Sequence, residues 1–568
     1  MGCGMLRSYT DAAVAADRTA PAPSAWAPLA RPVFRSLWAA ALVSNIGYWM
    51  QSVGAVWLIG TLSGSATLVA LVQTAVSLPI VLLGLPAGAM ADVLDRRRLL
   101  LATQSWMLAS AAALAVLTWL DAVTPWVVLL LTFSLGLGNA ANAPAWQAII
   151  PELVESGELA PAVALNSVGF NVGRAIGPAL GGLLVAVAGP EAVFAVNAVS
   201  FLGVLAVLAR WRREPQDSLG VGEQILGAIE AGARYVRFAP ALRAVLVRTA
   251  LFVLPASALW ALLPVVTRER LGLGATEYGL LLGGLGAGSI AGAFVLPRLR
   301  RRVPIDLRVV AATVLFAAAT LALAVLRSVP VLGLAMAVGG VAWLATMTSF
   351  NVATQTAVPR WVRARALAVY LFVLQGSLAL GSVAWGALAA RAGESWALLA
   401  ATVSFGLGVL AALRFRLRGI GALDLSPSVR PEPAAAVDPE PEDGPVLVLV
   451  DFRIDPSRAD EFARAMRALR RVRRRDGAYR WGVFGDVADP SRYVETFVVR
   501  SWAEHLRQHE RFTAEDLSVR DRAYAFHVGD GRPRVSHFIH PGAATRQRRW
   551  VHWTRARLRG QPVHTDGD

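Results

Sequence analysis

Gly88–Arg98 reads GAMADVLDRRR and lies between two apolar runs, Thr67 to Met90 and Leu99 to Leu120. Each run is long enough to cross a bilayer, which takes about 20 apolar residues. The arginines between them mark one face of a membrane, and the rest of the chain sorts against that face. Twelve such runs follow: Ser36 to Leu62, the two named, Pro125 to Ile150, Ala160 to Ala188, Glu191 to Ala209, Arg243 to Val266, Thr276 to Leu296, Leu307 to Leu326, Val329 to Val358, Ala364 to Ala390 and Ser395 to Leu413. Of 568 residues 55% are hydrophobic and 17% charged. With a mean hydropathy of +0.50, this composition predicts an integral membrane protein.

No lysine occurs, so all 55 basic residues, and the net charge of +16, come from arginine. Their distribution is one-sided. Arg96, Arg97 and Arg98 follow the second run, Arg210, Arg212 and Arg213 the sixth, Arg298 and Arg300 to Arg302 the eighth, Arg360, Arg363 and Arg365 the tenth, and Arg414, Arg416 and Arg418 the twelfth. The opposite loops hold Arg268, Arg270, Arg327 and Arg391. The positive-inside rule then places both termini in the cytoplasm, in a cell (cytoplasmic) membrane protein. The basic charge is read as topogenic, so no nucleic acid is expected as a partner. Without lysine the nucleotide-binding loop G-x-x-x-x-G-K-[ST] cannot form, which points to secondary rather than ATP-driven transport. Cys3 is the single cysteine, so neither an internal disulfide nor a multi-cysteine metal site is expected.

The chain repeats itself. WQAIIPELV around Pro151 and TQTAVPRWV around Pro359 align at an offset of 208 residues, and SATLVAL and GATEYGL each open the second run of a half. Two six-helix halves in parallel repeat are a secondary-transporter architecture. The expected divisions are a polar segment 1–32 with no signal peptide, a first half 33–209, a cytoplasmic connecting segment 210–242, a second half 243–418, a Pro, Ala and acid linker 419–444, a soluble domain 445–540 and a basic tail 541–568. Within the connecting segment, EQILGAIEAGARYVRF has apolar residues at helical spacing and is expected as a helix on the inner membrane surface.

The motifs now carry a resemblance. Gly88, Asp92 and the run Arg96, Arg97, Arg98 resemble the loop signature of the major facilitator superfamily. Gly173, Gly177, Pro178, Gly181 and Gly182 in GRAIGPALGG resemble the fifth-span motif of its drug-exporting antiporters, with Ala164 where an earlier glycine is usual. VFRSLWAAALVSNIGYWMQSVGAVWLI, together with the tail domain, is similar to the branch that includes the enterobactin exporter. The resemblance implies alternating access and a proton-coupled exporter. The arginine motif frequent in the fourth span of exporters is missing from FSLGLGNAANAPAWQ, and Asp92 and the cargo itself are the proton carriers left to name.

Read physically, Asp92 and the loop arginines form a latch between helix ends that breaks as the halves rock; a topogenic basic cluster is the alternative. Gly173, Gly177 and Gly181 form a small-residue face for close helix contact. Arg174 stands about fourteen residues into its helix, some 20 Å, near the bilayer centre, where a charge needs a cavity or a partner. It is read as receiving an anionic group of a small-molecule cargo; the alternative is a structural arginine bonded to carbonyls freed by Pro178. Asn171 shares its face, and Asn139, Asn142, Asn45, Trp49 and Gln51 of the first half could line the same cavity. Trp260, Asn351, Gln355 and Gln375 correspond in the second half. Each amide taken alone is more often interhelical glue.

Beyond the linker, VLVLVDFRI, AYRWGVFGDV, RYVETFVVR and RVSHFIH read as strands. SRADEFARAMRALRRVRRR reads as a helix with Phe462, Met466 and Leu469 inward, and WAEHLRQHERFTAEDLSVRDRAYAF as helical. The expected fold is therefore an all-α membrane protein of twelve transmembrane helices, followed by a small soluble α+β ferredoxin-like domain. The section around Glu495, Trp502, His505 and His509 resembles the antibiotic biosynthesis monooxygenase fold, whose small members pair, so dimerisation through this domain is expected. A fused transporter and enzyme is the alternative function. His505 and His509 stand four apart, a spacing that can hold a metal, but no third ligand is placed, so neither metal nor cofactor is expected.

Overall fold

The computed structural model of the protein describes residues 24–211, 234, 235, 237–417, 424–426, 428 and 439–540. Most of the connecting-segment helix, the basic tail and the first residues lie outside them. Over the described residues the chain divides into two compact units. One comprises Met1–Val221, Arg248–Ser349 and Leu371–Arg414; the other comprises Gly222–Val247, Phe350–Tyr370 and Phe415–Asp568.

The helices begin and end where local chemistry dictates. The first, α1 (Pro32–Ser63), opens on a proline and ends at Gly64, whose φ of 59° suits a residue without a side chain. The Ser65 hydroxyl accepts from the Leu68 amide to cap α2 (Ala66–Val93). Asp95 accepts from the Arg98 amide at 2.8 Å to cap α3 (Arg96–Trp119), so the acid of LDRRR starts the next helix. Thr124 and Pro125 start α4 (Pro125–Leu153) in the same manner. The fifth helix, α5 (Leu159–Arg210), runs 52 residues and breaks at Gly189, where φ is 79°. Then come α6 (Pro240–Val265), α7 (Ala275–Arg302), α8 (Ile305–Val325), α9 (Val329–Thr356), α10 (Arg363–Ala392) and α11 (Glu394–Arg414). Among the described residues ten helices are long and apolar enough to cross a membrane, with α5 counted as one.

Glycine sets the packing of the first unit. A Cβ built at Gly173 would stand 2.9 Å from Asn45 Cβ, one at Gly177 2.6 Å from Trp49 Cβ, and one at Gly181 2.8 Å from Met50 Cα. The same helix turns another side to α7, where Gly182 meets Gly279 and Gly286 meets Ala175. Backbones this close exchange dispersion contacts that side chains would prevent. Thr74 donates to the Ala379 carbonyl at 3.1 Å, joining α2 to α10 in the same unit.

The second unit contains a four-stranded antiparallel sheet in the order β2-β3-β1-β4. Its strands are β1 (Val446–Arg453), β2 (Arg480–Gly485), β3 (Arg492–Val499) and β4 (Arg534–Ile539). Val446, Val448, Val450 and Phe452 alternate onto one face of β1 and pack with Phe462, Met466 and Leu469 of α12 (Ala459–Arg475), the inward residues expected from sequence. The helix expected across Trp502 to Phe526 is two, α13 (Trp502–Arg511) and α14 (Ala514–Tyr524). Thr513 breaks it by forming a reciprocal capping box with Asp516. The linker is partly held as well. Ser428 donates to the Phe512 carbonyl at 2.9 Å, and Glu515 donates to that of Asp424 at 2.9 Å.

Gly177→Val should lower the melting temperature of the purified protein, because overpacking at a backbone contact costs about 1–3 kcal/mol. Gly84→Ala, where a Cβ would meet nothing within 4 Å, should leave it unchanged. Equal effects of the two would refute the packing assignment.

Candidate functional site

Arg174 lies about 22 Å along α5 from its start at Leu159. It is half-buried and makes no hydrogen bond or ion pair with any described residue, so the carbonyl-bonded alternative is not formed. The small-residue contacts with α1 bring Asn45 and Trp49 to this part of the helix. Trp49 meets the Phe170 ring edge-on at 6.2 Å, and its buried indole nitrogen has no partner among the described residues. Asn171 donates to the Ser167 carbonyl of its own helix at 2.8 Å. Arg174, Asn171, Asn45 and Trp49 are thus gathered where α1 crosses α5.

Two expected members of the site are elsewhere. Gln51 is buried and accepts a hydrogen bond from Asn197, which ties α1 to the far arm of α5. Asn142 is buried, and its carbonyl accepts from Thr103 at 3.1 Å and Gln104 at 3.3 Å, joining α4 to α3. Both are interhelical ties rather than cavity-lining groups, since a buried amide takes the nearest partner helix. Trp260 belongs to an aromatic cluster, 4.4 Å from Trp343 and stacked on Phe316. Gln355 donates to Asn351 one turn away on α9 at 2.6 Å. Asn139 and Gln375 are half-buried. No described contact joins Asn139, Trp260 or Gln375 to Arg174.

Two of the loop arginines bond helix ends of the first half. Arg96 pairs with Glu152 at 2.7 Å and donates to the Ala148 carbonyl, closing the end of α4. Arg97 donates to the carbonyls of Leu208 and Ala209, both at 2.8 Å, at the end of α5 where unsatisfied carbonyls and the helix dipole favour a cation. Arg98 is exposed. Gly88 and Asp92 fall within α2, and their surroundings lie outside the described residues.

In the sheet domain Glu495 is fully buried and takes both guanidinium arms of Arg473, at 3.1 and 3.2 Å, and the indole N–H of Trp481 at 2.9 Å. It forms a closed, buried ion pair. His505 is buried beneath Trp502, with ring centres of His509 and His537 at 4.9 and 4.8 Å. Burial, then the neighbouring imidazoles, push His505 down to about 3. Among the described residues no group of three His, Cys, Asp or Glu could hold a metal.

Residues 23–547 match the family described as transmembrane secretion effector, a span that covers the helices and the sheet domain alike. The chain belongs to this family of the major facilitator superfamily. It is 28% identical over 392 residues to the multidrug efflux pump Tap of Mycolicibacterium fortuitum, 67% of this chain and 95% of that one. It is 34% identical over 165 residues to the staphyloferrin A transporter of Staphylococcus aureus, 29% of this chain and 42% of that one. In fold it resembles a bacterial homologue of the lysosomal transporter Spinster, with a TM-score of 0.54 at 16% identity over 68% of this chain and 96% of that one. It also resembles the nucleoside transporter NupG, with 0.58 at 12% identity over 68% of this chain and all of that one. As a transmembrane secretion effector the protein is a membrane transporter rather than an enzyme.

Several partners escaped sequence reading: Glu152, Asn197, Thr103, Gln104, Arg473 and His537. Each pairs with a residue more than twenty positions away. Only Glu152 left a trace, as an acid in the loop PELVESGELAP.

His505 sets a pH dependence. The folded domain holds it neutral, whereas the unfolded chain takes up a proton below its ordinary 6.5, so stability is complete above that value and falls as pH drops towards 3. Acidification from pH 7 to 5 should therefore lower the protection factors of β1 and β3, taken relative to the slower intrinsic exchange at the lower pH, and His505→Gln should flatten that response. An unaltered pH response would refute the assignment.

Proposed function

We propose that the protein is a twelve-span, proton-coupled exporter of a small organic anion, working by alternating access with both termini in the cytoplasm. The observation that carries this reading is Arg174: a half-buried cation in the middle of a helix, facing no carboxylate among the described residues. A charge held at that depth without a protein partner is stabilised when an anionic ligand arrives. Asn45, Trp49 and Asn171 stand beside it as donors and as an aromatic wall. Relatives named for multidrug efflux and for staphyloferrin A suggest a drug-like or siderophore cargo. Asp92 and the cargo itself are the proton carriers we assign.

The break of α5 at Gly189 supports counting it as two spans, and α1 with the others completes twelve. Arginine asymmetry supports the orientation. The ends of α5 at Arg210 and α11 at Arg414 and the start of β1 at Val446 support divisions at 33–209, 210–242, 243–418, 419–444 and 445–540. The strand order β2-β3-β1-β4 with its helices supports a ferredoxin-like domain. On the sheet face turned from the helices, Phe484 and Phe538 are 60% and 51% exposed, opposite Val494 and Leu447 respectively, which supports pairing with a second copy through that face. The alternative of an enzymatic domain draws no support from Glu495, which is sealed.

Arg174→Ala should weaken binding of an anionic analogue tenfold to a hundredfold, the equivalent of about 1.5–3 kcal/mol for a bond to a charged group, and leave a neutral analogue nearly unaffected. Arg174→Lys should restore part of it, since an ammonium keeps the charge but loses the planar fork. Binding of both ligands to purified protein, with melting temperatures alongside, decides. Equal loss for both, with a lowered melting temperature, would make Arg174 structural.

A further inference from the structure

The unit that holds the sheet domain also holds Gly222–Val247 and Phe350–Tyr370. These segments contain the beginning of α6, the end of α9 and the beginning of α10. The three helices continue from them into the other unit, so whatever grips the segments grips helices that span the membrane.

The grip is specific. Glu504 of α13 receives Arg234 at 3.1 Å, six residues before α6, and it also pairs with Arg511 and Arg507 at 2.9 Å. Arg234 donates in addition to the carbonyl of Arg475 at the end of α12. Arg511 lies over the ring of Trp361 in the turn between α9 and α10, at 4.5 Å, and Arg475 lies over the ring of Tyr235 at 5.3 Å. Tyr235 and Trp361 meet edge-on at 5.8 Å. Arg475 is itself held by Asp476 at 2.8 Å and Asp516 at 2.7 Å. Tyr235, Arg511, Asp476 and Asp516 are all buried. Charge pairs and cation–π contacts removed from water are stronger than their exposed equivalents, and a network of them defines one geometry.

We propose that the sheet domain is a clamp: through Glu504, Arg511 and Arg475 it holds the ends of α6, α9 and α10 in one body, and these ends cannot separate during the transport cycle until the clamp yields. The effect on flux rests on the transporter reading above, whereas the clamp itself does not. Nothing in it requires chemistry by the domain. A domain that binds helix ends without touching the cargo path sets how fast the helices rearrange, as lids and gates do in other proteins.

The experiment has two arms. In the first, hydrogen exchange of the full chain in detergent is compared for wild type, Arg234→Ala, Trp361→Ala and Glu504→Gln. The clamp predicts severalfold faster exchange in 234–247 and 356–366, with the strands 446–453 and 492–499 unchanged. Unchanged exchange in the helix ends overturns it, as does an equal rise in the strands, which would mean simple unfolding; Arg234→Ala and Trp361→Ala lie outside the sheet domain and guard against that outcome. In the second arm, Arg234→Cys and Glu504→Cys are combined with Cys3→Ser and joined by a short bismaleimide in proteoliposomes loaded with the organic anion carboxyfluorescein. Severalfold slower carboxyfluorescein efflux after joining supports the clamp, and an unchanged rate overturns its control of flux. Absence of carboxyfluorescein efflux before joining would count against the exporter reading alone, while the exchange arm still decides the clamp.

Discussion

Close approach of three backbones governs the membrane unit. The face of α5 that carries Gly173, Gly177 and Gly181 lies against α1 at distances where a methyl group would overlap Trp49 or Met50. An adjoining face meets α7 at Gly279 and Gly286. Lipid offers no hydrophobic drive between helices, so contact area must come from shape, and glycine supplies it. This packing also places Arg174: with the glycines turned to α1 and Ala175 against Gly286, the arginine is fixed at mid-helix beside Asn45 and Trp49.

Charge is handled differently at the helix ends and within the spans. At the ends, Arg97 caps the carbonyls of α5, Arg96 meets Glu152, and Arg270 donates to Leu326 at the close of α8. These arginines complete hydrogen bonds that helices leave open. Within the spans, polar side chains mostly find one another: Asn142 with Thr103 and Gln104, Asn197 with Gln51. Arg174 departs from both patterns, and the transport site proposed above rests on that departure.

The sheet domain follows the same economy of buried charge. Arg473 and Glu495 neutralise each other under the sheet, and the ring of Phe497 lies 4.4 Å from the guanidinium. Arg475 is shared between Asp476 and Asp516. Pairs of this kind contribute little net stability but fix a single arrangement, because any rearrangement would strand a charge away from water. Glu504 belongs to this network and extends it to Arg234, outside the domain.

The sequence by itself determined the membrane character, many of the helix ends and the family, because hydropathy, arginine placement and capping residues act over short stretches of chain. Asp95 after its apolar run and Gly64 at the end of α1 stand where local chemistry puts them. The α12 core positions Phe462, Met466 and Leu469 were legible for the same reason, since a helical period exposes one face to the sheet. Tertiary structure decided which polar residues are free to act. Asn142, Gln51 and Asn171 look alike in sequence, yet the first two bond to other helices, while Asn171 bonds one carbonyl of its own helix and stays near Arg174. Glu495 and His505 are engaged by Arg473 and His537, which come from elsewhere in the chain. Side-chain partners depend on which helices and strands meet, and that is fixed by packing over the whole unit rather than by any local pattern.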